Sequence, residues 1–308
     1  MNRHIPSSAA RRTSRRSFFR QTRCLLAGAG AAWLTREAPA ADAGDSAAPL
    51  LRIGLLTDVH YADRPTAGSR HYRDSLAKLA VAREQFALAK TDFVVELGDF
   101  IDSAPSLEAE KGFLRRIHAE FAAIPGPRHY ALGNHCVSAL TKSDFLEIVG
   151  QPKAFYSFDT AEHHFVILDA CFRSDGVPYG GNKFDWGDSN VPPAEIEWLR
   201  GALKQTSHPT IVFVHQRLDV APPYGVKNAA EIRQLFEESQ RVLAVFQGHD
   251  HHGDERAING IHYCTLRAMI EGPGQDNNAF AILDVLPGNE LRVTGFGKQP
   301  SYRWQPRS

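Results

Sequence analysis

The sequence predicts an α/β fold with a mostly parallel inner sheet. Three observations carry this. From Leu51 onward, short apolar runs alternate with helix-length segments. Such runs suit strands buried on both faces, and the alternation implies βαβ units. Nearly every run gives way to Asp, Asn or His. Towards the end of the chain the runs are joined by tight turns, which implies some antiparallel pairing.

The elements follow in order. Leu51–Leu56 leads into Asp58, and Phe93–Leu97 ends at Gly98-Asp99. His129–Leu132 ends at Gly133-Asn134-His135, Ile211–Val214 at His215, and Val242–Phe246 shortly before Gly248-His249. Between them, residues 106–122 place Leu107, Leu114, Ile117 and Phe121 on one stripe, with Ser106 as N-cap. Residues 192–205 stripe Ile196, Leu199 and Leu203 and open on Pro192-Pro193. Residues 74–90 and 228–239 also read as helices. Phe155–Phe158 and Phe165–Leu168 add two strands, with His163-His164 read as solvated turn residues. Ala279–Val285 and Leu291–Phe296 flank Pro287-Gly288-Asn289 as a hairpin. The simplest organisation is one domain over 51–308.

Residues 1–40 read as an address. Ser14-Arg15-Arg16-Ser17-Phe18-Phe19-Arg20 carries twin arginines before an aromatic pair. Cys24 to Leu34 is short and weakly apolar, and Ala38-Pro39-Ala40 supplies small residues for a signal peptidase. The order resembles a bacterial twin-arginine signal, which implies the twin-arginine export machinery as a partner and a periplasmic or secreted destination. Residues 41–50 read as a flexible lead-in. The formal charge of zero conceals eight Arg against one acid in the first forty residues; the remainder, 27 basic and 34 acidic, is net −7. That balance offers nucleic acid no general attraction, and no apolar run of about 18 residues supplies a membrane span. After the signal, Cys136, Cys171 and Cys264 remain, an odd set in which export permits one disulfide without selecting a pair.

In an open α/β sheet, ligands bind beyond the carboxyl ends of the strands. Asp58, His60, Asp99, Asn134, His135, His215, His249 and His251 all fall there, and five strands of one sheet would gather them. Setting His135 aside, seven of these residues offer carboxylate, amide and imidazole donors without sulfur. That mix favours Mn, Fe or Zn over Ca or Mg. Seven donors exceed the need of one ion, whereas two ions about 3.5–4 Å apart sharing a carboxylate fit the count. Asp99 is central in the order and suits the shared position.

Asp58-Val59-His60, Gly98-Asp99, Gly133-Asn134-His135, His215 and Gly248-His249-Asp250-His251 together resemble the five motifs of the calcineurin-like metallophosphoesterase family, in that family's order. Asp58-Val59-His60-Tyr61-Ala62-Asp63, Arg70-His71-Tyr72-Arg73-Asp74-Ser75-Leu76, Phe165–Ala170 and the Glu271 region are similar to its manganese-dependent ADP-ribose/CDP-alcohol diphosphatases. The resemblance implies a four-layer α/β/β/α sandwich of two mixed sheets flanked by helices. It implies two divalent ions: Asp58, His60 and His251 at one, Asn134, His215 and His249 at the other, and Asp99 between them. His135 would contact the phosphate or protonate the leaving oxygen.

The activity implied is hydrolysis of a phosphorylated small molecule, by in-line attack of a hydroxide held between the ions. Nucleotide-diphosphate compounds such as ADP-ribose come first as substrates, other phosphomonoesters or phosphodiesters second. A non-catalytic protein on the same scaffold would have lost a ligand or His135, and neither is missing. Two departures stand out. Cys136 occupies the place where the family carries an acid that orients the His, and Gln216-Arg217 follows His215. Arg217 is read as approaching the phosphate or facing solvent. Arg70, Tyr72 and Arg73 are read as substrate contacts or a helix-entry charge cluster, Asp102 as a cap, and His252 as a surface or supporting residue.

Overall fold

β1 (Leu51–Leu56), β2 (Phe93–Glu96) and β3 (Arg128–Tyr130) run parallel side by side. In the computed structural model, which describes residues 47–306, their sheet continues on the other side of β1. There β10 (Ala279–Val285), β11 (Leu291–Gly297) and β12 (Tyr302–Trp304) pair antiparallel, giving the order β12-β11-β10-β1-β2-β3. The second sheet comprises β4 (Tyr156–Thr160), β5 (His163–Ile167), β6 (Thr210–Phe213), β7 (Val242–Gln247), β8 (Asp254–Ile258) and β9 (Ile261–Thr265). Its order is β4-β5-β6-β7-β9-β8, parallel from β5 to β9 with an antiparallel strand at each edge.

The two sheets bury one face against each other. Ile53, Leu55 and Val95 meet Phe165, Ile167, Phe213 and Phe246 in one apolar layer. On the outside of the first sheet lie α1 (Ser75–Ala89), α2 (Leu107–Ala122) and α3 (Lys142–Val149), which pack Phe86, Ile117, Phe121 and Phe145 around Leu56 and Val94. On the outside of the second, α4 (Pro193–Gln205) and α5 (Ala229–Ser239) pack Leu199, Leu203, Ile232 and Phe236 on Val166, Val212 and Val245. The result is the four-layer α/β/β/α sandwich. Each strand of the buried pairs is apolar on both faces because each face meets another layer.

Several expectations are corrected. The strands that carry the site residues come from two sheets, not one: β1, β2 and β3 from the first, β6 and β7 from the second. His163 and His164 lie inside β5 and are buried, each imidazole bonded locally, to the Ala161 carbonyl and the Asp159 carboxylate. Leu107 is exposed, although Leu114, Ile117 and Phe121 of its stripe are buried and Ser106 does cap the helix by accepting from the Ala109 N–H. β8, β9, β12 and α3 are further elements beyond those the sequence predicts. β8 is a polar edge strand, and β12 is three residues long. α3 had a legible signal, since Thr141 and Asp144 form a reciprocal capping box and Gly150 ends the helix at φ 71°. Cys136, Cys171 and Cys264 are buried free thiols. The twin-arginine segment and residues 41–46 lie outside the described residues; among those described, no helix is long and apolar enough to cross a membrane.

Candidate metal centre

Five strand ends deliver the predicted residues to one place, where the two sheets meet at their carboxyl ends. Asp58 and His60 follow β1, Asp99 follows β2, and Asn134 and His135 follow β3. His215 follows β6, and His249 and His251 follow β7. Four of them hold left-handed backbone: Asp58 at φ 50°, His60 at 44°, Asp99 at 56° and His249 at 70°. Non-glycine residues rarely adopt this conformation, and a cluster of them marks a site whose geometry overrides local preference. Two glycines permit the crowding. A Cβ on Gly133 would lie 2.2 Å from the Asp99 backbone nitrogen and its Oδ1, and one on Gly98 would lie 2.5 Å from the His215 ring.

Each side chain is anchored through one atom and presents another. Asp58 Oδ2 accepts from Thr57 Oγ1 at 2.7 Å and from the His249 N–H at 3.1 Å. Its Oδ1 then faces His60 Nε2 at 3.6 Å and His251 Nε2 at 3.4 Å. Asp99 Oδ1 accepts from the His135 N–H at 2.7 Å, leaving Oδ2 3.2 Å from His215 Nε2 and 3.6 Å from His60 Nε2. His215 Nδ1 donates to the Leu97 carbonyl at 2.8 Å, which fixes Nε2 as the lone-pair atom. His251 Nδ1 bonds Glu271 Oε1 at 2.6 Å, leaving Nε2 3.2 Å from Nε2 of His60.

This donor set fits a pair of cations. Asp58 Oδ1, Asn134 Oδ1, His215 Nε2 and His249 Nε2 are buried with no hydrogen-bond partner, a costly condition that a cation would relieve. Asp58, His60 and His251 bring one donor atom each within 4.8 Å of one another, and so do Asp99, His215 and His249. The observed 3.2–3.6 Å spacings match ligands sharing an ion at roughly 2.1 Å each.

The charges reinforce one another. Burial alone would raise the Asp99 carboxyl, but His215, His135 and His60 outweigh it and hold it well below the ordinary range. Burial opposes charge on His251, yet Asp58 and Glu271 push it up to about 10. Burial and the neighbouring His215 push His249 down to about 3.

His135 sits at the rim, one-quarter exposed, with Nδ1 3.2 Å from Asp102 Oδ1. Burial works against its charge, but Asp99 and Asp102 raise its pKa above the ordinary 6.5. Asp102 is therefore no mere cap, although it does accept from Ser103. It is buried, and its oxygens reach His60 Nδ1 at 3.2 Å, Arg64 at 3.0 Å and Arg70 at 3.1 Å. The sequence signal was an acid three residues after Asp99, a short reach from the same strand end. Cys136 is buried, and its Sγ accepts from the Phe100 N–H at 3.3 Å.

The other predicted contacts divide. Arg70 lies at the rim beside Asp102. Arg73 pairs with exposed Asp63 at 2.7 Å. Tyr72 is buried with Ala62, Ala268 and Ile270, and Arg64 stacks over its ring at 3.9 Å. Arg217 is not a free cation near the phosphate or in solvent. It is buried and bonded to Asp219 at 2.7 Å, Asp250 at 2.9 Å and Asp254 at 2.6 Å. Through Asp250 it braces the turn between His249 and His251. His252 is a surface residue, its side chain 95% exposed. Arg64 and Glu271 complete the surroundings.

The fold and the site are those of a metal-dependent phosphoesterase scaffold. Residues 51–253 match the calcineurin-like phosphoesterase family, and the chain belongs to it. Within it, the chain is similar to the protein named manganese-dependent ADP-ribose/CDP-alcohol diphosphatase from Oryza sativa subsp. japonica, at 26% identity over 80% of this chain and 91% of that one. It is also similar to the Arabidopsis thaliana protein of that name, at 24% identity over 82% and 96%. Among solved structures, a dimetal phosphatase from Danio rerio superposes with a TM-score of 0.75 at 22% identity, over 85% of this chain and all of that one.

Proposed function

We propose that this chain is a dinuclear-metal-dependent phosphohydrolase whose substrates are nucleoside diphosphate compounds of the ADP-ribose type. The observation that carries the reading is the position of Asp99 Oδ2, between His60 Nε2 and His215 Nε2 at 3.6 and 3.2 Å. Asp58, His60 and His251 would hold one divalent ion, Asn134, His215 and His249 the other, and Asp99 would serve both. Mn, Fe or Zn bound there would neutralise phosphate charge and activate water. His135, its pKa raised by Asp99 and Asp102 against burial, is placed to donate to the leaving oxygen. Arg64 and Arg70 place positive charge at the rim, where a second phosphate of a diphosphate fits. The names of the plant relatives support this substrate class.

The test is turnover of ADP-ribose against aryl phosphate mono- and diesters, before and after chelation and with Mn²⁺ restored. Activity lost on chelation, regained with Mn²⁺ and abolished by Asp99→Ala is expected. Full turnover in Asp99→Ala would overturn the assignment, and a preference for the aryl esters would overturn the substrate class.

Export through the twin-arginine machinery is a second part of the proposal, supported by the order of the basic, apolar and small-residue regions in residues 1–40. Fusing those residues to a folded reporter tests it: periplasmic reporter that requires Arg15 and Arg16 is expected.

A further inference from the structure

Six large hydrophobic side chains are exposed among the described residues, and the two aromatic ones, Trp186 and Tyr224, are neighbours at the metal centre. Their rings lie 5.7 Å apart with planes inclined at 52°. Each also approaches the His249 ring, Trp186 at 5.4 Å and Tyr224 at 5.7 Å. They come from different loops, residues 180–190 between β5 and α4 and residues 216–228 between β6 and α5.

The backbone beneath both rings is fixed. The buried Tyr179 hydroxyl donates to the Asp185 carbonyl at 3.2 Å, and the Asp188 N–H donates to the same carbonyl at 2.9 Å. The Tyr224 carbonyl accepts from the Arg217 N–H at 3.2 Å, and Val226 returns a bond to Arg217 at 2.8 Å. A Cβ on Gly187 would lie 3.2 Å from Pro223 Cβ, so the two loops abut. Two rigidly mounted rings are thus left 42% and 44% exposed on one side of a phosphate site. Adjacent exposed aromatics are uncommon on a soluble surface unless something covers them.

We infer that Trp186 and Tyr224 form a wedge that stacks the nucleobase of the substrate, which places the nucleoside on the His249 side of the centre and the remainder of the molecule towards Arg64 and Arg70. The inference rests on the phosphohydrolase reading and deepens it, by naming what selects a base-bearing diphosphate. A planar heteroaromatic ring offers a face to stack against the exposed side of such a pair, and such stacking tolerates either adenine or cytosine.

The experiment is calorimetric titration of the Mn²⁺-loaded full chain with three probes: AMP, ribose 5-phosphate and octyl phosphate. Wild type, Trp186→Leu and Tyr224→Leu are compared, with Mn²⁺ content measured in each. AMP binding tighter than ribose 5-phosphate in wild type, weakened about tenfold in each variant, is expected. Ribose 5-phosphate affinity and Mn²⁺ content should not change. AMP binding no tighter than ribose 5-phosphate, or an equal loss for both in the variants, overturns the wedge. Octyl phosphate binding as tightly as AMP overturns the nucleobase as its occupant. Because the readout is binding, a wild-type protein that hydrolyses nothing refutes the proposed reaction and still leaves the wedge decided by these titrations.

Discussion

Oδ1 of Asp102 lies 3.2 Å from Nδ1 of His135. Its other oxygen lies 3.2 Å from Nδ1 of His60, so one buried carboxylate faces two imidazoles of the centre at once. It supplies the acid that Cys136 cannot. A carboxylate behind an imidazole fixes the ring's orientation and favours its protonated form.

Asp102→Asn should therefore lower kcat by about 10- to 100-fold, since orienting partners of this kind carry that much. His135→Ala should cost more, roughly 10²–10⁴-fold, as expected for loss of a general acid. Steady-state kinetics on ADP-ribose check both. Equal kcat in Asp102→Asn and wild type would remove Asp102 from the proposed machinery.

Glu271 holds His251 through a 2.6 Å contact at Nδ1. Its carboxyl is lowered to about 2, first by that imidazole. Glu271→Gln keeps the shape and removes the charge, so Mn²⁺ affinity should fall about 10- to 100-fold. Titration of the apoprotein with Mn²⁺, followed by calorimetry, reads this independently of turnover. Unaltered affinity would show that the contact does not tune the ligand.

Arg217 is expected to behave as a structural residue. Its side chain is 4% exposed and that of Asp219 is 0% exposed, so removing the guanidinium leaves a buried carboxylate with only Arg256 at 3.0 Å and the Gln247 amide at 2.6 Å. Arg217→Ala should lower unfolding free energy by about 3 kcal/mol, near the low end for a broken buried pair, because Asp250 and Asp254 keep access to water. Urea denaturation measures this. A large rise in KM at unchanged stability would instead return Arg217 to the substrate.

The cap of α3 gives a pH-dependent term of known sign. Lys111, with help from Thr141, lowers the Asp144 carboxyl from 3.8 to about 2. A depressed carboxyl contributes stability above its unfolded value and loses it as the pH falls through the folded one. The stability advantage of wild type over Asp144→Asn should be full near neutrality and shrink as the pH drops from 3.8 towards 2. Thr141→Ala should cost about 1 kcal/mol. Thermal melts across that range check both, and a constant gap would contradict the assignment of the cap.

The sequence by itself determined the strand-and-helix alternation, the placement of Asp58, Asp99, Asn134, His215 and His249 beyond apolar runs, and the family. These are local properties: a run buried on both faces must be apolar along its length, and a donor set must be polar at its end. Ser106 and Pro192-Pro193 likewise marked helix starts through chemistry confined to a few residues. Tertiary structure alone decided that the donors come from two sheets, because pairing between distant strands leaves no trace in either strand's own composition. It alone set Asp102 behind His135, tied Arg217 to three acids, and turned Trp186 and Tyr224 towards His249. Each of those outcomes depends on which loops meet after the layers pack, and packing is a property of the whole chain.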